Sequence, residues 1–116
     1  MKTLRNFTLH PQGDLEAQVA AASGFELRRP PEGVEVGKGQ AGLDAAAAQL
    51  AELLEDCAGA GDAGLAGGHT GLWVVATAAA VRAGKPLPPL YCFETRRIHD
   101  SQGRFVFQPE GLLRLC

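Results

Sequence analysis

At 116 residues the chain has the length of a typical domain, and a hydrophobic fraction of 46% is enough to build one core. Eleven Lys and Arg residues against 13 Asp and Glu residues give a net charge of −2, so the strong positive field of a protein that binds long nucleic acid is missing. No apolar run could span a bilayer and the polar start lacks a secretory signal, so we expect neither membrane insertion nor export. Three widely spaced cysteines without a Cys-x-x-Cys pair fit a reducing cytoplasm.

The first half of the chain has a pattern of alternating strands and helices. Residues 3–9 alternate in polarity, which predicts a strand with His10 just beyond its carboxyl end. Apolar residues at helical spacing between Asp14 and Gly24 predict a first helix, and residues 25–28 a second strand. Residues 43–57 keep apolar side chains on one face and polar ones on the other, which predicts an amphipathic helix.

The second half continues the alternation. The sequence predicts a short strand over 63–66, a helix over 72–83, and a strand over 90–95. Because the helix is apolar nearly all round, we expect it to be buried between layers. Short strands at 105–107 and 112–115 are expected to form a C-terminal hairpin or edge. The whole chain, 1–116, is therefore predicted to be a single three-layer α/β domain with a mostly parallel central sheet.

A glycine-rich loop formed by Gly67, Gly68, His69, Thr70 and Gly71 precedes the apolar helix. A helix N-terminus carries a partial positive charge, and glycines let a phosphate approach the backbone amides. Thr70 is expected to cap the helix or to add a hydroxyl donor, and His69 is available to move a proton. The alternative is a tight connection whose glycines serve packing alone.

Two further groups of polar residues are expected near that loop. Thr95, Arg96 and Arg97 end the predicted late strand, and the carboxyl ends of parallel strands meet at one crevice. Arginine forks bind phosphate oxygens in a bidentate way, although solvated charges at an exposed strand end remain an alternative. Strand register decides which first-strand side chains face the crevice; the candidates are Asn6, Thr8 and His10.

Several common chemistries are disfavoured. Two stretches fit the dinucleotide pattern G-x-G-x-x-G, at 37–42 and 59–64, but neither lies in the opening strand–helix unit. There is no Walker motif, no clustering of histidines and carboxylates at metal-ligand spacing, and no G-x-S-x-G elbow. We therefore expect no metal and no cofactor.

Three stretches together resemble a known family: the strand end at 6–11, the glycine loop at 67–71 with its apolar helix, and the segment Tyr91–Arg97. They resemble the small stand-alone Csx-type proteins of type III CRISPR systems, which are reduced relatives of the Rossmann-like CARF domain. Segment 28–42 is outside this resemblance. The resemblance implies a cytoplasmic homodimer that binds a cyclic oligoadenylate second messenger, namely cyclic tetra-adenylate, across a two-fold axis.

The resemblance also implies an activity, that of a ring nuclease. In that reaction a ribose 2′-hydroxyl attacks its adjacent phosphate without a metal, while the protein positions the ligand and stabilises charge. Candidate catalytic residues are His69, His10 and Arg96. Candidate ligand-binding residues are Asn6, Thr8, Gly67, Gly68, Thr70, Gly71, Thr95 and Arg97. The alternatives are a sink that binds the messenger without cleaving it, a flavodoxin-like module for nucleotides or phosphorylated metabolites, and an interaction protein whose apolar helix lies at a subunit interface.

Overall fold

The computed structural model describes residues 1–8, 12–30 and 33–116. The elements in chain order are β1 (Lys2–Asn6), α1 (Asp14–Ala22), β2 (Phe25–Arg28), α2 (Gly39–Gly59), β3 (Ala63–Leu65), α3 (Thr70–Arg82), β4 (Leu90–His99) and β5 (Phe105–Arg114). The strands form one sheet in the order β2-β1-β3-β4-β5. The first four strands run parallel and β5 runs antiparallel to β4. The prediction of an α/β fold with a mostly parallel sheet is confirmed.

Apolar side chains are buried on both faces of the sheet. Because side chains alternate along a strand, Leu4 and Phe7 of the first strand segment point to opposite faces. Leu4 packs with Ala20 of α1, while Phe7 packs against a cluster formed largely by α2 and α3. One helix therefore covers one face and two helices cover the other.

An ion-pair network joins β1 to the end of α2. Arg5 Nε lies 2.8 Å from Asp62 Oδ2, and Arg5 Nη1 lies 2.9 Å from Asp56 Oδ2. Hydrogen bonding to Asp56 raises the pKa of Arg5 further above its ordinary value. Beside this network, Cys57 is fully buried, and that burial raises the pKa of its thiol to about 11.

The expectation that the apolar helix is buried between layers is wrong. In α3, Leu72, Ala76 and Ala80 are buried, but Val74 and Val81 are more than half exposed. The helix packs against α2 on one side only, so its opposite side faces solvent. None of the helices in the described parts of the chain is both long and apolar enough to cross a membrane.

Segments 105–107 and 112–115, expected as two short strands in a hairpin or edge, belong to a single edge strand, β5, which forms a long hairpin with β4. Strand β4 continues to His99, and β5 is one strand in place of the two expected short ones. The register shifts between Glu94 and Thr95, where Glu94 pairs with Gly111 and Thr95 with Pro109. One residue of β5 is thus accommodated as a bulge, which lets the strand continue through a proline and a glycine.

Candidate functional site

The carboxyl ends of the parallel strands border a cavity of about 620 Å³. Its walls come from the ends of β1 and β3, from α1, and from both strands of the hairpin. The lining residues are Asn6, Thr8, Glu16, Ala66, Gly67, Cys92, Phe93, Thr95, Phe107 and Pro109. This is the edge of a parallel α/β sheet at which ligands commonly bind.

The hairpin supplies one wall because β4 runs far beyond its parallel neighbour. Only Leu90 and Tyr91 of β4 pair with β3, and the rest of the strand pairs with β5 alone. Side chains two residues apart share a face, so Phe93, Thr95 and Arg97 point to the same side of the hairpin. Thr95 lies opposite Pro109, and Arg97 lies opposite Phe107. The sequence prediction placed Thr95 in the crevice, and the structure brings it to the cavity wall.

Asn6 and Thr8 form a local turn at the end of β1. The Asn6 Oδ1 atom accepts hydrogen bonds from the Thr8 backbone N–H at 3.0 Å and from Thr8 Oγ1 at 2.6 Å. Both residues are buried and both line the cavity. Asn6 therefore fixes the position of the Thr8 hydroxyl, in the manner of an Asx-turn. Two predicted ligand-binding residues are thus at the cavity.

The glycine loop reaches the cavity through Gly67. A Cβ atom at Gly67 would lie 3.0 Å from Thr8 Cγ2, which is a tight contact, so glycine lets the loop lie close to Thr8 without displacing it. The Gly67 carbonyl accepts a hydrogen bond from Trp73 Nε1 at 2.9 Å, which anchors the loop to α3. Gly68 has φ of +87°, a left-handed conformation that favours glycine. Gly68 itself is not among the residues that line the cavity.

The expectation that Thr70 caps the helix is wrong, because His69 is the N-cap residue of α3. Its Nδ1 atom accepts a hydrogen bond from the Leu72 backbone N–H at 3.1 Å. This contact requires Nδ1 to be unprotonated. A Cβ on Gly71 would lie 3.2 Å from the His69 ring, so the small residue leaves room for the imidazole. Thr70 becomes the first residue of the helix, and neither His69, Thr70 nor Gly71 is among the cavity-lining residues.

The two arginines at the end of the predicted strand lie on opposite faces of the hairpin. Arg96 forms an ion pair with Glu110, with 2.9 Å between Nε and Oε1, on the face away from Thr95. Arg97 lies on the same face as Thr95, with its Cζ atom 4.0 Å from the centre of the Phe105 ring. Of this pair, only Arg97 shares a face with the cavity. His10 lies outside the described residues.

The predicted site residues omit six that line the cavity, Glu16, Ala66, Cys92, Phe93, Phe107 and Pro109, and also omit Arg29, which contacts one of the lining residues. Glu16 comes from the first turn of α1 and Phe107 from the hairpin, and both line the cavity. Arg29 directly follows β2, and its Nη1 atom donates to the Thr8 carbonyl oxygen at 3.4 Å. Because β2 is parallel to β1, the rule for strand carboxyl ends could have placed Arg29 at this edge.

The charges around the cavity are unevenly placed. Within the described chain, Glu16 is the one charged residue among those that line it, and no lysine or arginine joins the lining. The cations lie at its margins, Arg29 behind Thr8 and Arg97 beyond Thr95. Because the Thr8 backbone N–H and hydroxyl already donate to Asn6, the side-chain donors that the lining offers an anion are the Thr95 hydroxyl and the Asn6 amide nitrogen.

Both glycine patterns serve packing. A Cβ on Gly42 would lie 2.2 Å from the Gly37 carbonyl carbon, so the first pattern brings a loop against the start of α2. In the second pattern, a Cβ on Gly64 would meet Leu90 at 3.0 Å and Phe7 at 3.2 Å inside the core. Across the part of the chain that the structure describes, no group of three or more His, Cys, Asp or Glu residues could hold a metal ion.

Comparison with protein-family models, curated proteins and solved structures found no match for this chain.

Proposed function

We propose that the cavity binds a phosphate-bearing nucleotide ligand, and that this ligand is a cyclic oligoadenylate of type III CRISPR defence in the cytoplasm. The observation that carries the proposal is the meeting of Asn6, Thr8, Gly67 and Thr95 around one cavity at the carboxyl edge of the sheet. Asn6 and Thr95 lie in β1 and β4, and Thr8 and Gly67 lie in the connections that follow β1 and β3. The family resemblance adds the identity of the ligand, cyclic tetra-adenylate.

The phosphate groups have suitable donors at two places. Gly67 leads into the N-terminus of α3, where backbone amides and the helix dipole favour an anion. Arg29 contacts the carbonyl oxygen of Thr8 and Arg97 lies opposite Phe107, so each cation is next to a residue of the cavity lining. Phosphates at these positions would avoid the Glu16 carboxylate, which then faces a hydrogen-bond donor such as a ribose hydroxyl or a base amino group.

A homodimer suits this ligand. A cavity of about 620 Å³ falls in the range that holds a drug-sized molecule. Four linked nucleotides are larger than that, so two copies of the cavity around a two-fold axis would each receive half of the ring. The exposed apolar side chains Val74 and Val81 on α3 offer surface for such an association.

Cleavage in this proposal needs no metal. A ribose 2′-oxygen attacks the adjacent phosphorus and loses its proton, and the 5′-oxygen leaves and gains a proton, which yields a 2′,3′-cyclic phosphate end. The protein's part is to hold the 2′-hydroxyl in line with the leaving oxygen. Arg97 and the α3 amides would stabilise the charge on the phosphate, and a proton would move through His69 or water.

One observation favours a second candidate, a sink that binds the messenger and cleaves it slowly or not at all. The His69 Nδ1 atom is occupied by the Leu72 amide, and the Arg96 guanidinium by Glu110. Two of the three candidate catalytic side chains are thus engaged in structural contacts. Positioning of the ribose 2′-hydroxyl would then account for most of any rate of cleavage.

The test is to incubate the purified chain with labelled cyclic tetra-adenylate in buffer that contains EDTA, and to measure both retention and linear product. Retention with product supports a ring nuclease, and retention without product supports the sink. If neither is seen, the cyclic oligoadenylate proposal fails. A thermal-shift series with mononucleotides and phosphorylated sugars then tests the generic nucleotide module, since only a bound ligand raises the unfolding temperature by mass action.

A further inference from the structure

The hairpin continues past the cavity with an exposed row of rings and cations. Thr95 and Phe107 line the cavity, and Arg97, His99 and Phe105 follow on the same face toward the hairpin tip. The cross-strand pairs set this arrangement, because Arg97 lies opposite Phe107 and His99 lies opposite Phe105. We call Arg97, His99, Phe105 and Phe107 the hairpin platform.

The platform is ordered by its own contacts. The Arg97 guanidinium lies 4.0 Å from the centre of the Phe105 ring, and the His99 ring centre lies 4.3 Å from the same ring. Phe105 therefore holds Arg97 in place and is partly covered by it. Phe107 is different, because 72% of its surface is exposed although it borders the cavity. It presents a large ring surface beside a positioned cation.

We propose that Phe107 stacks against a nucleobase of the ligand while Arg97 binds a phosphate attached to the same nucleotide. This inference rests on the proposed function and assigns the part of the ligand that lies over the hairpin, where Phe107 borders the cavity. Exposed aromatic rings next to arginines are the arrangement by which proteins bind unpaired bases. The charge fits as well, since Arg97 supplies at the rim the positive charge that the cavity lining lacks. Phe105 is a positioning residue for Arg97.

The hairpin platform adjoins the cavity, so a nucleotide bound in the cavity can also contact the platform. This favours a nucleotide over an apolar partner as the occupant of the platform. A ligand in the cavity that contacts Thr95 also reaches Phe107, because the Arg97–Phe107 pair is the next pair after Thr95–Pro109 on the same face of the hairpin. Adjacent pairs on one face of a strand are about 7 Å apart, so one ligand can contact Thr95 and the Arg97–Phe107 pair together. A second copy of the chain seated on the platform is the competing occupant.

The test uses equilibrium dialysis of cyclic tetra-adenylate against the full chain and four variants. Phe107→Leu removes the ring, Phe107→Tyr keeps it, and Arg97→Gln removes the charge. Val106→Ala is the matched control on the opposite face of the same strand. We expect Phe107→Leu and Arg97→Gln each to weaken binding by about tenfold, and Phe107→Tyr and Val106→Ala to stay within about twofold of the original chain.

The outcomes separate this inference from the function on which it rests. If the original chain binds no cyclic tetra-adenylate, both fail. If it binds and Phe107→Leu binds equally well, the platform is overturned and the cavity proposal stands. Sedimentation measures the oligomeric state of each variant and so tests whether a second copy of the chain occupies the platform. A dimer that dissociates in Phe107→Leu would mean that the ring contacts that second copy. In Phe107→Trp, tryptophan emission should be quenched by the ligand more than in the original chain, whose Trp73 lies on α3.

Discussion

The His69 imidazole accepts a hydrogen bond from the Leu72 backbone N–H, with Nδ1 and N 3.1 Å apart, and so caps the helix that begins beside the cavity. This contact gives the histidine a structural role that is separable from proton transfer. His69→Ala should lower the free energy of unfolding by about 1 kcal/mol, whereas His69→Asp, which restores a capping oxygen, should be close to the original chain. Urea denaturation of the three proteins measures the difference.

The same pair of variants tests catalysis. If His69 only caps the helix, His69→Asp should keep any cleavage of cyclic tetra-adenylate. Loss of product in His69→Asp with ligand retention and stability intact would instead assign the imidazole a proton-transfer role.

Gly67 and Thr8 should be coupled. Gly67→Ala places a Cβ atom 3.0 Å from Thr8 Cγ2, so the Thr8 side chain or the loop must shift by a few tenths of an ångström at the cavity wall. We expect ligand affinity to fall by about tenfold, and the second change Thr8→Ser, which deletes Cγ2 but keeps the hydroxyl, to restore most of it. Calorimetric titration of the single and double variants measures this coupling. Equal losses in Gly67→Ala with and without Thr8→Ser would contradict the contact as the cause.

Arg97 and Arg96 should differ although they are neighbours. Arg97 lies on the face of Thr95, and Arg96 is paired with Glu110 on the other face. Arg97→Ala should therefore weaken retention of the ligand by about tenfold, while Arg96→Ala should change it less than about threefold. A filter-binding titration compares the two. A larger effect at Arg96 would mean that the ligand lies on the opposite face of the hairpin.

Arg29 offers a second comparison of neighbours. Its guanidinium donates to the Thr8 carbonyl oxygen at the cavity, whereas Arg28 is paired with Glu26 at an exposed position. Arg29→Ala should weaken binding, and the loss should shrink as salt is raised because part of it is electrostatic. Arg28→Ala should bind as the original chain does. Equal affinities of the two variants across a salt series would remove Arg29 from the site.

Cys57 predicts a dependence of stability on alkaline pH. Burial raises the pKa of its thiol from 9.0 to about 11, so between these values the unfolded chain loses the proton while the folded chain keeps it. Ionisation then favours the unfolded state, and the free energy of unfolding should fall by about 2 kcal/mol as pH rises from 9 to 11. The control is Cys57→Ala, which should show a flatter decline over that window. Parallel declines in the two proteins would contradict the assignment to this thiol.

Much of the fold could be predicted from local pattern, and the failures have physical causes. Helix α2 begins at Gly39, whereas the sequence predicts a start at Leu43. Gly37 packs closely against Gly42 in the first turn of the helix. A pattern of apolar residues does not reveal a contact of this kind. The sequence predicts two short strands in place of β5, because residues such as Pro109 and Gly111 normally interrupt strands. At the outer edge of the sheet a bulge accommodates both Pro109 and Gly111, so β5 is continuous and the hairpin is longer than the sequence predicts.

The candidate site was predictable in part. The rule that strand carboxyl ends meet was enough to bring Asn6, Thr8, Gly67 and Thr95 together. The distinction between Arg96 and Arg97 required strand register, and the role of His69 required the geometry of a helix cap. Phe107 could have been found from the sequence only if its pairing with Arg97 had been known, because an exposed phenylalanine has no local signature.

We expect the ligand to bind at the carboxyl edge of the sheet, and amide chemical shifts measured with and without cyclic tetra-adenylate report where it binds. The largest changes should fall on Thr8, Gly67 and Thr95 and extend to Phe107. The opposite surface, where Arg5 meets Asp56, provides the comparison within the same spectrum. Changes confined to that surface, or no changes at saturating ligand, would contradict this expectation.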